Sequence, residues 1–136
     1  MASGTDSSAT ARQALGQRGE AYAASHLIGL GYTVLARNWR HGALEIDIVA
    51  QDGSFLVLVE VRTRQRQAGQ PLTFGAPEES ITVPKRRRMS LAAETYLAMN
   101  PWSGPVRIDV VVLEIGVDGT LLRLTQYKDA IGGTQR

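Results

Sequence analysis

Apolar residues recur at helical spacing between Arg12 and Leu30, at Leu15, Tyr22, Ala23, Leu27 and Leu30, and Gly31 follows in the place of a C′ residue. This pattern predicts a first helix. The eleven residues before it are small and polar, so residues 1–11 are expected to form a disordered tail and residues 12–136 a single domain. Tyr32 to Ala36 is rich in β-formers and predicts a strand, with Arg37 to Gly42 as a connection. Leu44 to Gln51 is the next strand, and Asp52-Gly53 is a strong hairpin signal because a type I′ turn needs positive φ at both central residues. Phe55 to Arg64 is then the returning strand. Its run Phe55-Leu56-Val57-Leu58-Val59 is apolar on both faces, which predicts a central strand covered on two sides.

Residues 65–79 mix Gly69, Pro71, Gly75 and Pro77 with few periodic apolar positions and predict a long loop. Thr82 can cap a second helix with Pro84 in its first turn, Met89, Ala92, Ala93 and Tyr96 continue it, and Asn100-Pro101 stops it. Val106 to Ile115 is a further strand, Asp118-Gly119 a second hairpin turn and Thr120 to Leu124 its partner, with a helical turn expected within Gln126 to Ile131. The order is αβββαββ. A helix between the third and fourth strands predicts parallel neighbours, hence an α/β fold with a mixed five-stranded sheet flanked by helices.

A two-residue bend at Asp52-Gly53 sets Gln51 against Ser54, Asp47 against Leu58 and Glu45 against Glu60. Side chains alternate along a strand, so Glu45, Asp47, Glu60 and Arg62 share one face, with Asp47 and Glu60 as diagonal neighbours. Glu60 interrupts an apolar central strand, where an ionised carboxylate is costly unless it is paired or bound to metal. Arg62 can compensate it in part; a divalent ion held by hard oxygen ligands would do so more fully. Glu20, at the margin of the first helix's apolar stripe, can lean over the same sheet. Glu45 lies near its strand's start, where it is either solvated, paired with an arginine or an accessory to the site.

Charge adds a partner to this picture. Of 15 basic residues 13 are arginine, and they cluster at Arg62, Arg64 and Arg66 and again at Lys85, Arg86, Arg87 and Arg88. Guanidinium forks suit phosphate, and a helix start favours it too, so the clusters read either as a nucleic-acid contact or as a solvated basic face. The chain has no cysteine, which removes disulfides, thiolate metal sites and cysteine nucleophiles together. With no apolar stretch near the roughly 20 residues of a spanning helix, the expectation is a cytoplasmic protein without a membrane partner. His26 and His41 lack ligand spacing and are assigned no metal role. Arg107 and Asp109 share a strand face and read as a structural ion pair; Trp39 and Trp102 read either as core or as stacking residues.

The motifs Gly19-Glu20, Gly31-Tyr32, Arg37-Asn38-Trp39-Arg40, Glu45-Ile46-Asp47, Val59-Glu60-Val61-Arg62-Thr63-Arg64, Phe74-Gly75, Lys85 and Arg107-Ile108-Asp109-Val110-Val111 resemble the YraN family. That family comprises small bacterial proteins with a restriction-endonuclease-like fold, similar to archaeal Holliday-junction resolvases. The resemblance runs from Gly16 to the C-terminus. It implies a PD-(D/E)xK site with Asp47 and Glu60 as carboxylate ligands of magnesium or manganese, Arg62 where the family usually has lysine, and Glu20 as the acid of the first helix. It also implies DNA, branched forms included, as substrate and a homodimer, and the basic clusters fit the same picture, with Arg64, Arg66, Lys85 and Arg86 as the expected nucleic-acid contacts. Two departures stand out. Ala43-Leu44 replaces an expected glycine in the turn, and Arg62 keeps lysine's charge but cannot act as a general base. The expectation is therefore either a metal-dependent endonuclease or a catalytically impaired module of the same fold that binds nucleic acid or a protein.

Overall fold

The computed structural model describes residues 4–67 and 82–131. Its elements are α1 (Gly4–Gly29), β1 (Thr33–His41), β2 (Leu44–Asp52), β3 (Phe55–Arg66), α2 (Val83–Met99), β4 (Val106–Gly116) and β5 (Leu121–Tyr127). The strands form one sheet in the order β1-β2-β3-β4-β5, antiparallel except for the parallel β3–β4 pair that α2 connects. This is the αβββαββ arrangement of the restriction-endonuclease-like fold. The loop expected over 65–79 lies mostly outside the described residues, as does Phe74-Gly75.

Local chemistry explains the helix ends. At the end of α1, Gly31 takes φ 96° and donates to the Ile28 carbonyl at 2.9 Å, while the Tyr32 N–H reaches the Leu27 carbonyl at 3.0 Å. Those two bonds satisfy carbonyls that the helix leaves open, and only glycine takes that conformation freely. At α2 the Thr82 hydroxyl accepts from the Lys85 N–H at 3.3 Å and proline sits in the first turn. The start of α1 differs from expectation: the helix begins at Gly4, so residues 4–11 are helical and not a tail. Extending a formed helix costs far less than nucleating one, and Ala9 and Ala11 favour it.

The sheet is covered on both faces. Ala23, Ala24 and Leu27 of α1 pack against Ile48, Ala50, Val57, Val59, Val111 and Leu113. On the opposite face Ala92, Ala93 and Tyr96 of α2 pack against Ile46, Val49, Leu58, Ile108 and Val110. The run Leu56 to Val59 alternates between the two cores, which is why it is apolar throughout. Each such buried side chain contributes about 1.5–3 kcal/mol relative to exposure. Trp39 belongs to the α2-side packing, with its ring edge-on to Tyr96 at 5.3 Å. Trp102 donates from Nε1 to the Pro105 carbonyl at 3.1 Å.

One register and two strand ends depart from the sequence reading. The β2–β3 bend is Gly53-Ser54, and Asp52 pairs with Phe55, Gln51 with Leu56 and Ile48 with Val59. Gly53 alone of the two bend residues has positive φ, at 58°, which suits glycine in the first central position. Asp52 stays in the strand because its carboxylate lies 3.3 Å from the buried Arg107 guanidinium. β1 also runs on to His41, through residues expected to be a connection, and β5 continues to Tyr127 where a helical turn was expected.

Arg107 anchors a buried polar network. It pairs with Asp109 at 3.0 Å and donates to the Tyr32 hydroxyl at 2.6 Å; Gln126 joins both Tyr32 and Asp109. The Asp129 N–H completes the Asp109 carboxylate at 2.9 Å. Each charge is therefore matched, as burial requires. The pair is structural, as its spacing indicated.

Candidate functional site

The site forms where β2 and β3 part. Regular pairing ends at Ile48–Val59, and continuing that register by one residue sets Asp47 directly opposite Glu60. The two acids are thus facing neighbours and not diagonal ones, a correction that follows from the one-place shift of the bend. Beyond this point the Val61 N–H no longer meets a β2 carbonyl; it donates to Asp47 Oδ2 at 2.8 Å. The Asp47 side chain takes over the ladder's role, and the strands splay.

A phase change in β2 accompanies the splay. Ile46 packs into the α2-side core and Ile48 into the α1-side core, although residues two apart on a regular strand share a face. On β1, Asn38 lies between Arg37, paired with Ile48, and Trp39, paired with Ile46, and has φ 54°. That left-handed residue breaks the alternation opposite Asp47. Asparagine is among the few side chains that tolerate the conformation.

Glu20 arrives from α1. Gly19 lets the helix close onto β3 because a Cβ there would overlap the Thr63 side chain, whose own Cβ lies 2.9 Å from that point. Glu20 accepts a hydrogen bond from Asn38 and lies 4.0 Å from Arg37, while burial raises its pKa above the ordinary value. Glu45 does not oppose Glu60 as expected. It pairs across the β1–β2 ladder with Arg40, at 3.7 Å on the surface, and the revised register moves it two pairs along from Glu60.

Electrostatics single out Asp47. Burial and the Glu60 charge push its carboxyl up to about 7, with Glu20 and Glu45 adding to the shift and the Val61 N–H opposing it. Four acids from α1, β2 and β3 therefore act on one another here. A cavity of about 300 Å³ opens over three of them, Glu45, Asp47 and Glu60, and is lined also by Lys85, Arg88 and Met89. Lys85, in the first turn of α2, reaches Glu60 Oε2 at 3.4 Å.

Arg62 follows Glu60 on the same face of β3, half-buried, and its Nη1 is buried without a hydrogen-bond partner among the described residues. Arg64 is half-buried two residues further on, and Arg86 is exposed on α2. Arg66 leaves the expected nucleic-acid surface: its guanidinium is buried and bonded to Glu114 of β4 at 2.7 Å. A strand residue that faces the interior needs such a partner. His26 meets Gln126 at 3.1 Å and His41 stacks on Trp39 at 6.3 Å.

Among the described residues no group of three or more His, Cys, Asp or Glu side chains is gathered to hold a metal ion. The carboxylates of Asp47 and Glu60 nonetheless suit a hard divalent cation in donor type and charge, as a two-ligand site. Sequence reasoning missed two participants: Asn38, which breaks the strand phase and bonds Glu20, and Lys85 as the partner of Glu60. An asparagine inside a β-rich stretch was the available signal for the first; for the second there was none, since the contact spans separate elements.

Comparison with known proteins gives the arrangement a family. Residues 19–113, which contain Glu20, Glu45, Asp47, Glu60, Arg62 and Lys85, match the model of the uncharacterised protein family UPF0102. A UPF0102 protein of Symbiobacterium thermophilum is 44% identical over 108 residues, covering 79% of this chain and 87% of its own. One from Clavibacter michiganensis is 48% identical over 103 residues (75% and 83%), and one from Dehalococcoides mccartyi is 38% identical over 122 residues (89% and 95%). The chain belongs to the uncharacterised protein family UPF0102, the YraN-like group that its motifs resemble.

Proposed function

We propose that this chain is a nucleic-acid-binding module of the restriction-endonuclease-like fold in which hydrolysis is impaired. The observation that carries this reading is Arg62. Its buried Nη1 has no hydrogen-bond partner among the described residues, and a buried donor of this kind is costly until an oxyanion meets it. A phosphate oxygen fits that need, and arginine presents it in a planar fork. Yet arginine stays protonated, so the position that would help deprotonate an attacking water holds a group unable to do so. Lys85, the one lysine among the described residues that line the cavity, is engaged with Glu60.

Phosphate binding then draws on Arg62, two residues along β3 from Glu60, and on Arg64 and Arg86 beyond it, with affinity governed by charge more than by sequence. No helix among the described residues is long and apolar enough to cross a membrane, and a membrane partner has no part in the proposal. Fluorescence anisotropy with a labelled four-way DNA junction tests it. Binding should weaken steeply with salt, and Arg86→Ala should reduce the slope of log K against log salt by about 0.9. Binding that ignores salt, or no binding, contradicts the proposal and favours a protein partner.

A second reading, a magnesium- or manganese-dependent endonuclease, rests on Asp47. A carboxyl raised to about 7 by burial and then by its neighbours' charge is one that a divalent ion held with Glu60 would restore to its ionised form. A bound ion would polarise the phosphate and lower the pKa of a water. In that case Arg62 would serve to bind the scissile phosphate and stabilise charge, with Glu20 as an outer acid.

A further inference from the structure

Lys85 sits where helix electrostatics disfavour it. It lies in the first turn of α2, which contains no acidic residue and continues into Arg86, Arg87 and Arg88. The positive end of the helix dipole and three neighbouring guanidinium groups all repel its ammonium. What holds it is Glu60, 3.4 Å away, with the two side chains 37% and 20% exposed. The ammonium therefore supplies positive charge on the wall of the cavity that Asp47 and Glu60 share. One monovalent charge at the edge of Glu60 is a poor match for two facing carboxylates.

We propose that Lys85 is a resident cation of the Asp47–Glu60 pair that a divalent ion displaces, so that cation binding and phosphate binding reinforce each other. Once the ion neutralises Glu60, the ion, the helix end and Arg88 all repel the ammonium. It then leaves the carboxylate, and its long flexible stem lets it meet a phosphate entering beside Arg62. The coupling half of this inference rests on the nucleic-acid reading above; the displacement half does not. By linkage, whatever factor the ion contributes to phosphate affinity, phosphate returns to the ion.

Calorimetric titration of the full chain with manganese chloride, without nucleic acid, tests displacement. Lys85→Met should bind manganese about fivefold more tightly than the natural chain, the size expected for a partly exposed ion pair. Lys85→Arg, which keeps the charge, should stay close to the natural value, and Glu60→Gln should lose most binding. Equal or weaker binding by Lys85→Met, or no manganese binding by either protein, overturns the proposal. Anisotropy with the DNA junction tests coupling. Manganese should tighten the complex of the natural chain and have little effect on that of Lys85→Met. If the junction binds but manganese changes both proteins alike, the coupling fails while the nucleic-acid reading stands. If the junction never binds, that reading fails, and the titration with manganese alone still decides displacement.

Discussion

Asn38 faces Asp47 across the β1–β2 ladder, and its φ of 54° is what takes β1 out of phase at that point. Ala36 and Trp39 both pack on the α2-side core, three residues apart, as do Ile46 and Val49 on β2. The two strands change phase together, and Asp47 is the residue released from the pattern. A β-branched side chain has difficulty in the left-handed region. Asn38→Val should therefore cost about 1–3 kcal/mol in urea unfolding, whereas Asn38→Gly, which loses only the contact to Glu20, should cost much less. Equal losses in the two variants would mean that the Asn38 side chain, and not its backbone, matters.

Gly19 sets how closely α1 approaches the site. A methyl group there would overlap Thr63 of β3, so Gly19→Ala should destabilise the protein by about 1–3 kcal/mol despite alanine's better helix propensity. Thr63→Ala removes the nearest side-chain atoms but leaves its Cβ in place. The double variant should recover part of the loss, measured as a coupling in a double-mutant cycle. Strict additivity would show that the helix accommodates the methyl by shifting elsewhere.

Asp47 makes stability depend on pH in a direction opposite to that of a salt-bridged carboxylate. Its folded pKa of about 7 lies above the ordinary value of 3.8. Between those values the native state holds a proton that the unfolded chain releases, so this group's contribution lowers stability as pH rises through the window. Asp47→Asn removes the charge and keeps an oxygen for the Val61 N–H. Relative to the natural chain it should gain up to about 4 kcal/mol near pH 8, with the gain shrinking toward about pH 4. Urea unfolding at both pH values checks this; an equal difference at each would refute the shift.

Much of the scaffold is legible along the chain because local chemistry decides it. The doubly buried run Leu56 to Val59, the Thr82 cap, Gly31 and the parallel β3–β4 pair all follow from residues close in sequence or from one crossover rule. The bend at Gly53 is different. Glycine suits the second central position of one turn type and the first of another, and the choice falls to Arg107, 55 residues away, which keeps Asp52 in the strand. The same distance problem hides Arg66. Its charge reads as a phosphate contact until Glu114, 48 residues on, buries it. Asp47 and Glu60 were legible as a pair because both registers place them on one face; only their relation, facing and not diagonal, needed the fold.

The most direct test of binding with impaired hydrolysis is one reaction that reads both events. The natural chain and Asp47→Asn are incubated with a labelled four-way junction and manganese, and the complex and the strand products are resolved from the same samples. Salt-sensitive complex in the natural chain, with no product that depends on Asp47, is the expected result. Strand cleavage by the natural chain that vanishes in Asp47→Asn would contradict it and establish the endonuclease reading.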